Sequence, residues 1–353
     1  MPGPLRVVEL IRVQMPLRTP FVTANDATSV KEALLVRVET DAAVGWGECP
    51  ALASPEYSPE TIDVSHAALR DELGPRALAG EAFAGPPFAH TALEAALLDA
   101  SLRAEGISLA QHLGVSSTHV DAGVAIGIAS DIVERAAAYV AAGYRRVKLK
   151  ISPEIPLEYV RDVRAAVGAD VAIQVDANES FRLSDADLLA TLADWDVQCI
   201  EQPLRRDDIA KYVDLAALIT TPICLDESID SARAAREAIL LGACSVVNVK
   251  PGRVGGLVEA VQVHDTCVHH GVDALVGGML ETGVGRAVNV ALAALPGFTM
   301  IGDLSASDRY FDEDLTEPFV LEDGRLRVPD GPGTGVEPRA EMLERYTVTR
   351  ERL

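Results

Sequence analysis

Five short apolar runs lie between Arg145 and Arg253, and each ends on a charged residue. The runs are Val147–Lys150, Val171–Asp176, Val197–Glu201, Pro222–Asp226 and Val246–Lys250. Their ends are 26, 25, 25 and 24 residues apart, a step that fits one buried strand, a loop and one covering helix. Segments with helix-like apolar spacing fill the intervals. The pattern therefore predicts consecutive parallel strands of an α/β barrel.

Further apolar runs extend this barrel in both directions. Val124–Ile128 precedes the five runs, and Asp273–Val276 and Phe298–Ile301 follow them as predicted strands seven and eight. We therefore predict a modified (β/α)8 TIM-type barrel over residues 116–315.

The first part of the chain has a different pattern. Its predicted elements are the antiparallel strands Val7–Val13, Ala33–Thr40 and Val44–Glu48 and an Ala- and Leu-rich helix from His90 to Ala104. These elements predict an α+β capping domain over residues 1–115. The last segment of the chain, about 316–353, is predicted to return to this domain. Two stretches, Pro16–Ser29 and Cys49–Ser58, are predicted as loops long enough to be functional.

Three of the barrel runs end on acids, namely Asp176, Glu201 and Asp226. Because the carboxyl ends of successive barrel strands meet at one rim, these acids should face one point. Neighbouring carboxylates raise one another's pKa unless a cation lies among them. An all-oxygen site is what Mg²⁺ prefers, and Mn²⁺ is a plausible substitute. The sequence thus predicts a metal site, the alternative being a structural network in which each acid pairs with Lys or Arg.

Lysines flank these acids. Lys148 and Lys150 are two residues apart, so on a strand both point to the same face, here the barrel interior. Interior lysines that lie together near a divalent cation are expected to have a pKa below the reference value of about 10.4. Lys150 is therefore a candidate general base. We expect Lys250 to approach the centre from the opposite side.

Taken together, these motifs resemble those of one family. They are Lys148-Leu149-Lys150, Asp176-Ala177-Asn178, Glu201-Gln202-Pro203, Asp226-Glu227-Ser228, Lys250-Pro251-Gly252-Arg253 and Gly277-Gly278-Met279-Leu280-Glu281. The chain resembles the enolase superfamily in its muconate-lactonizing branch, and within that branch the o-succinylbenzoate synthase and N-succinylamino acid racemase family. The resemblance covers essentially the whole chain.

The resemblance implies a reaction through an enediolate. A substrate carboxylate would bind the metal, Lys150 would remove the proton alpha to it, and Lys148 and Lys250 would help to stabilise the enediolate. Syn-dehydration of 2-succinyl-6-hydroxy-2,4-cyclohexadiene-1-carboxylate would then give o-succinylbenzoate for menaquinone biosynthesis. Protonation by Lys250 on the opposite face would instead racemise an N-succinylamino acid. We take dehydration as the principal function and racemisation as the alternative or second activity, with a non-catalytic metal-binding scaffold as a third hypothesis.

Other residues of these motifs are assigned supporting roles. Asn178 and Glu227 are adjacent to predicted metal ligands and are expected to orient them. The candidate substrate-binding residues are Arg253, Gly278, Met279, Glu281, Phe21 and Thr23, and Tyr57 is a further candidate for the succinyl side of the pocket. Arg253 either adds positive charge that tunes Lys250 for proton transfer or forms an ion pair with a nearby carboxylate.

Composition and charge narrow the possible partners. The 353 residues carry a net charge of −22, with 53 acidic and 31 basic residues. Such a charge repels nucleic acid and anionic membrane surfaces. No apolar stretch approaches the roughly 20 residues of a membrane span, and the first residues lack a secretory signal pattern. We therefore expect a cytoplasmic homo-oligomer that acts on a small-molecule carboxylate and has no nucleic-acid or membrane partner.

Overall fold

The computed structural model describes residues 3–22 and 27–353. Its strands are β1 (Leu5–Val22), β2 (Ala27–Thr40), β3 (Val44–Cys49), β4 (His119–Asp121), β5 (Gly123–Ile126), β6 (Arg146–Lys150), β7 (Ala172–Asp176), β8 (Val197–Glu201), β9 (Ile223–Leu225), β10 (Val246–Val249), β11 (Asp273–Val276), β12 (Arg325–Arg327) and β13 (Thr347–Arg352). Its α-helices are α1 (Ile62–Ala68), α2 (Gly74–Leu78), α3 (Pro87–Glu105), α4 (Leu109–His112), α5 (Ile132–Ala141), α6 (Glu158–Val167), α7 (Ala186–Ala190), α8 (Ile209–Leu218), α9 (Ala232–Leu241), α10 (Pro251–Val254), α11 (Leu257–His270), α12 (Gly283–Ala293) and α13 (Ala340–Tyr346). A π-helical turn, Leu69–Leu73, joins α1 to α2, and 3₁₀ turns occur at Leu183–Asp185, Thr191–Trp195 and Ser307–Arg309.

A parallel sheet of seven described strands carries the predicted barrel. Its order, β5-β6-β7-β8-β9-β10-β11, follows the chain, and helices alternate with the strands from β5 to β11. Most residues of these strands are buried, and about half of them are Val, Ile or Leu, which is typical of a parallel sheet covered by helices. The predicted fold class, a modified TIM-type barrel with a separate α+β region, is therefore confirmed.

The predicted eighth strand, Phe298–Ile301, is wrong. This segment forms no regular strand, yet it lies between β11 and β5 and closes the barrel with irregular hydrogen bonds. Thr299 N–H donates to Ala274 O at 3.1 Å and Gly123 N–H donates to Leu304 O at 3.2 Å. The approach to β11 is very close, since a Cβ on Gly302 would lie 2.3 Å from Val276 O. A regular pleat with side chains on both faces does not fit at that separation.

The second large sheet is antiparallel, and its strand order is β13-β1-β2-β3. β1 and β2 make a long hairpin whose pairing runs from Leu5↔Thr40 to Val22↔Ala27. The prediction of a loop over Pro16–Ser29 is therefore wrong for the described part of that stretch. Met15 and Leu17 are buried on one face of β1. The alternation of buried and exposed residues that is typical of a half-buried strand therefore continues past Pro16 to Leu17.

This antiparallel sheet packs on helices of the first hundred residues. Buried residues of β1, β2, α1 and α3 form one apolar cluster, which includes Val36, Ile62 and Leu93. β13 pairs with β1, whereas β12 pairs with β4. The domain boundaries given above remain a prediction. No helix of the described residues is both long and apolar enough to cross a membrane.

Candidate active site

The carboxyl ends of adjacent parallel strands bring the predicted ionisable residues together. In the register of the sheet Lys150 lies opposite Asp176, and Asp176 lies opposite Glu201. Asp226 follows the end of β9 and Lys250 follows the end of β10. All five side chains are buried. The strand period therefore gathers these groups at one end of the barrel.

Lys148 and Lys150 point to the same side of β6, as their spacing predicts. Lys148 Nζ lies 3.0 Å from Glu201 Oε1, 2.5 Å from Asp303 Oδ2 and 3.3 Å from Asp176 Oδ2. Lys150 Nζ lies 2.7 Å from Asp176 Oδ2 and 2.6 Å from Asn178 Oδ1. Burial alone would raise the pKa of Asp176, but Lys150 and Lys148 outweigh it and hold that pKa below its usual range.

Lys250 is held by groups from two sides of the site. Its Nζ lies 2.7 Å from Asp226 Oδ2 and 3.2 Å from Tyr57 Oη, and 4.7 Å from the centroid of the Tyr57 ring. Arg253 binds the other oxygen of Asp226 and donates to Ile229 O at 2.6 Å. Arg253 does not line the cavity among the described residues. Its ion pair with Asp226 is the contact that the second hypothesis for this arginine predicts.

The lower lysine pKa that the sequence predicts beside a divalent cation stays a prediction, and the protein groups alone act on Lys148 and Lys250 in the opposite direction. Burial does favour their neutral forms, but surrounding acids outweigh it. Asp303, Glu201 and Asp176 raise the pKa of Lys148 above its usual range. Tyr57, Glu201 and other groups likewise raise the pKa of Lys250. The surrounding carboxylates therefore favour the protonated amines, an effect that a cation bound to the same acids would reduce.

The chemistry of the donors fits a hard divalent cation, although their present contacts are with amines. Asp176, Glu201 and Asp226 are buried and offer oxygen atoms alone. Burial raises the pKa of Glu201, and the charge of Asp176 adds to the rise, so this negative charge is incompletely compensated. Oε2 of Glu227 is buried without a partner. Each of the three acids nevertheless pairs with a cationic side chain, and within the described ranges no three His, Cys, Asp or Glu residues are gathered for a metal.

Asn178 and Glu227 contact one another beside these acids. Asn178 Nδ2 donates to Glu227 Oε1 at 3.1 Å, and Asn178 N–H donates to Asp176 Oδ1 at 3.0 Å. Burial raises the pKa of Glu227 to about 7, and Asp176 adds to the rise. Gln202 further fixes Asp226, whose N–H donates to Gln202 Oε1 at 2.9 Å. These contacts are compatible with the orienting roles expected of Asn178 and Glu227.

A cavity opens above these groups between the two sheets. Its open space is about 1080 Å³, part of which is continuous with solvent. Its lining includes Lys148, Lys150, Asp176 and Lys250 at the strand ends. It also includes Phe21, Leu52, Tyr57, Ala125, Gly278, Met279, Leu280, Glu281, Arg286 and Tyr310. The candidate substrate-binding residues Phe21, Gly278, Met279 and Glu281 thus lie at the cavity, as does Tyr57, and Thr23 lies outside the described residues.

Buried polar contacts join the antiparallel sheet to the loop that carries Met279. Lys31 Nζ on β2 donates to Pro50 O and to Met279 O, both at 3.1 Å. Glu48 on β3 accepts hydrogen bonds from Thr282 N–H at 3.0 Å and Gly285 N–H at 2.8 Å. Glu48 therefore binds the amino end of α12, where unpaired N–H groups favour an anion.

Glu281 stabilises its own loop. Its Oε2 accepts from Met279 N–H at 2.8 Å and its Oε1 accepts from Asn289 Nδ2 at 3.0 Å. Gly277 in the same loop allows a close approach, since a Cβ there would lie 2.2 Å from Asn248 Oδ1 and 2.6 Å from Lys250 Cε. The loop conformation and the position of Lys250 are thus coupled.

Several residues of the site were missed by the sequence analysis. Asp303 binds Lys148 and also Arg146, whose Nη1 lies 2.7 Å from Asp303 Oδ1. Its position directly after the last predicted strand was the signal that could have found it. Arg286 and Tyr310 line the cavity, but they lie in no barrel strand and no spacing pattern marks them.

Comparison with known proteins identifies close similarities over the whole length. Residues 131–342 match the family model described as enolase C-terminal domain-like. The chain is 50% identical to an N-succinylamino acid racemase from an Amycolatopsis species, with 97% of each chain covered. It is 41% identical to an o-succinylbenzoate synthase of Geobacillus stearothermophilus, over 97% of this chain and 96% of the relative. The crystal structure of an enolase superfamily member from Listeria innocua has a TM-score of 0.93 at 33% identity, with 99% of each chain covered.

Proposed function

Because this chain belongs to the enolase superfamily, in the o-succinylbenzoate synthase and N-succinylamino acid racemase family of its muconate-lactonizing branch, we propose that its principal reaction is dehydration. The substrate is 2-succinyl-6-hydroxy-2,4-cyclohexadiene-1-carboxylate and the product is o-succinylbenzoate, a precursor in menaquinone biosynthesis. The synthases of Geobacillus and of Bacillus subtilis, 41% and 39% identical over nearly the full length, support this choice. The enzyme is then a carbon–oxygen lyase.

The observation that carries the proposal is the placement of two lysines at one cavity. Lys150 and Lys250 end or follow strands separated by β7, β8 and β9, so their amines reach the cavity from different sides. Lys150 is the base that removes the proton alpha to the substrate carboxylate, and it returns that proton to the departing hydroxyl in a syn elimination. Asp176 and Asn178 hold its Nζ at 2.7 and 2.6 Å and fix its direction.

Asp176, Glu201 and Asp226 would hold the divalent cation, for which Mg²⁺ is the proposed ion and Mn²⁺ a substitute. When bound, such an ion supplies electrostatic stabilisation of negative charge on a carboxylate substrate. Lys148 and Lys250 add positive charge beside the same cavity. Asn178 and Glu227 orient the neighbouring acids and the amine of Lys150.

N-succinylamino acid racemisation is the second candidate. The Amycolatopsis relative that carries this name is 50% identical to the chain. Racemisation needs a proton donor on the face opposite the base, and Lys250 offers one. Tyr57 and Asp226 contact its Nζ at 3.2 and 2.7 Å and orient it. Both reactions begin with the same proton removal, so one site can carry both.

The proposal is tested by assaying purified, Mg²⁺-loaded protein against the cyclohexadiene carboxylate and against a panel of N-succinylamino acids. We expect turnover of the first substrate and racemisation of some members of the panel. Folded, metal-loaded protein that converts neither substrate class would contradict the proposal and would favour a non-catalytic scaffold.

A further inference from the structure

Two buried guanidinium groups lie beside Tyr310, a residue of the cavity lining. Arg286 lines the cavity, and its Cζ is 5.6 Å from the centroid of the Tyr310 ring. Arg309 precedes Tyr310 in the chain, and its Cζ is 4.9 Å from the same centroid. The two arginines are 4% and 7% exposed. Little water therefore remains to solvate two positive charges at this place.

Neither guanidinium forms an ion pair with a carboxylate among the described residues, and both bind main-chain oxygen atoms. Arg286 donates to Ser305 O from Nη1 and to Glu281 O from Nη2, the latter at 2.8 Å. Arg309 Nη2 donates to Ala125 O at 2.8 Å, and its buried Nε has no partner. A buried charge is costly unless an opposite charge compensates it. Among the described residues, the positive charge of Arg286 in the cavity wall and that of Arg309 beside it thus have no carboxylate partner.

The acids on this side of the cavity are engaged elsewhere. Glu281 turns its carboxylate to its own loop and to Asn289 Nδ2 at 3.0 Å. Asp303 binds Arg146 at 2.7 Å and Lys148 at 2.5 Å. Neither carboxylate is therefore oriented to neutralise the guanidinium groups beside Tyr310.

Arg286 and the acids come from different elements of the barrel. It belongs to α12, which follows β11, whereas Asp176 and Glu201 end β7 and β8. β9 and β10 lie between those two strands and β11 in the sheet. Because Asp176 and Arg286 line the same cavity, a substrate whose reacting carboxylate lies among the acids can extend to Arg286.

We propose that Arg286 is a specificity-determining residue that binds the distal carboxylate of a succinyl chain, with Arg309 reinforcing its charge from beside Tyr310. A guanidinium has five N–H donors, of which the bonds to Ser305 and Glu281 use two. Arginine also matches a carboxylate in geometry as well as in charge. The inference rests on the proposed function, because the succinyl group supplies the second carboxylate.

The test compares two ligands that differ in one charge. The Mg²⁺-loaded protein is titrated calorimetrically with o-succinylbenzoate and with the analogue in which the distal carboxylate is a carboxamide. The wild-type protein is expected to bind the dicarboxylate roughly tenfold or more tightly than the amide, since a charged hydrogen bond is lost with the amide. Arg286→Gln is expected to remove most of this preference, and Arg286→Lys to retain much of it.

Arg164→Gln is the matched control, because Arg164 also binds main-chain oxygens, such as Val171 O at 2.7 Å, and lines no part of the cavity. It should leave the preference unchanged. Equal binding of both ligands by the wild-type protein overturns the inference even where Arg286→Gln does not fold. A folded Arg286→Gln variant that keeps the full preference overturns it as well. In both cases turnover of the cyclohexadiene carboxylate by the wild-type protein shows that the proposed function stands. A wild-type protein that neither binds o-succinylbenzoate nor converts the cyclohexadiene carboxylate overturns both.

Discussion

Each of the two lysines proposed to transfer protons is held by two oxygen atoms, which fix the direction of its amine. Lys150 lies between Asp176 and Asn178, and Lys250 lies between Asp226 and Tyr57. Proton transfer depends on such placement, because a donor or acceptor must lie within hydrogen-bond reach of one substrate atom. The residues around the lysines therefore matter for rate even where they touch no substrate.

Replacement of Lys150 by methionine removes the amine and keeps most of the side-chain volume. We expect kcat for dehydration to fall by about 10²- to 10⁴-fold, the usual contribution of a general base. The fold should survive, because Lys148 still pairs with Asp176 at 3.3 Å. Steady-state kinetics and a thermal melt measure both effects. Lys211→Met, at an exposed lysine paired with Asp208, is the control, and an unchanged kcat in Lys150→Met would refute the assignment.

Gly277 provides a second test at the scale of one residue. An alanine Cβ would lie 2.2 Å from Asn248 Oδ1 and 2.6 Å from Lys250 Cε, so Gly277→Ala must displace Lys250 or the loop. A misplacement of about 1 Å can cost about a hundredfold in rate, and we expect a loss of that order in kcat.

Gly80→Ala is the matched control for that variant. Gly80 has a φ of +73° and no atom near its Cβ position, so the change should cost about 1 kcal/mol of stability through the backbone and leave kcat alone. Equal activity of both variants would show that Lys250 tolerates the displacement.

At the scale of elements, the hairpin of β1 and β2 reaches from the antiparallel sheet to the cavity. It supplies Phe21 to the cavity wall, while Lys31 binds the loop of Met279. Glu48 on β3 binds the amino end of α12. Two strands of one sheet thus set the position of segments that belong to the barrel.

Glu48 should make stability depend on pH. Burial raises the pKa of Glu48 from 4.5 to about 7, so between those values the folded protein binds a proton that the unfolded chain has released. This contribution is fully present below about pH 4.5 and is lost as the pH rises through about 7. At about 1.4 kcal/mol per pKa unit, the free energy of unfolding should fall by about 3 kcal/mol over this window.

The measurement is the slope of unfolding free energy against pH, from urea titrations of wild-type protein and Glu48→Gln. The variant should lack the part of the slope that Glu48 contributes. Weaker hydrogen bonds to Thr282 and Gly285 would lower its free energy of unfolding by a constant amount, which does not change the slope. Parallel curves for the two proteins would contradict the assignment of this titration to Glu48.

The elements also show which features a sequence can reveal. The barrel strands of Lys150, Asp176 and Glu201 were predictable, because strand, loop and helix repeat at a nearly constant interval and charged ends interrupt apolar runs. The irregular segment before Asp303 was not, since its shape depends on the close approach of Gly302 to β11. The continuation of β1 through Pro16 was hidden by a residue that usually interrupts strands.

The residues of the candidate site also differ in whether the sequence could reveal them. Residues on barrel strands could be found from periodicity, whereas Arg286 and Tyr310 could not, because tertiary packing alone brings α12 and the segment after Asp303 to the cavity. The acid beside Lys148 was missed for a similar reason, since Asp303 comes from a distant part of the chain.

At the scale of the whole molecule, the buried acids predict a dependence on divalent metal. Removal of metal with a chelator should abolish turnover, and Mg²⁺ should restore it. Mg²⁺ should also stabilise the folded protein by about 2.7 kcal/mol at a concentration one hundred times its Kd. Thermal melts at constant ionic strength, with Na⁺ replacing Mg²⁺ as the control, measure this effect. Full turnover by protein shown to be metal-free by elemental analysis would contradict it.

The pairing of β1 with β13 has a consequence for biosynthesis. Glu9 lies opposite Arg352, so the ribosome must translate most of the chain before that edge of β1 meets its neighbour. Until then a nascent polypeptide presents an open strand edge, which is a template for pairing with other chains. Messages cut short before the codons for Thr347–Arg352 should therefore yield aggregates, even though every residue of the barrel has been made.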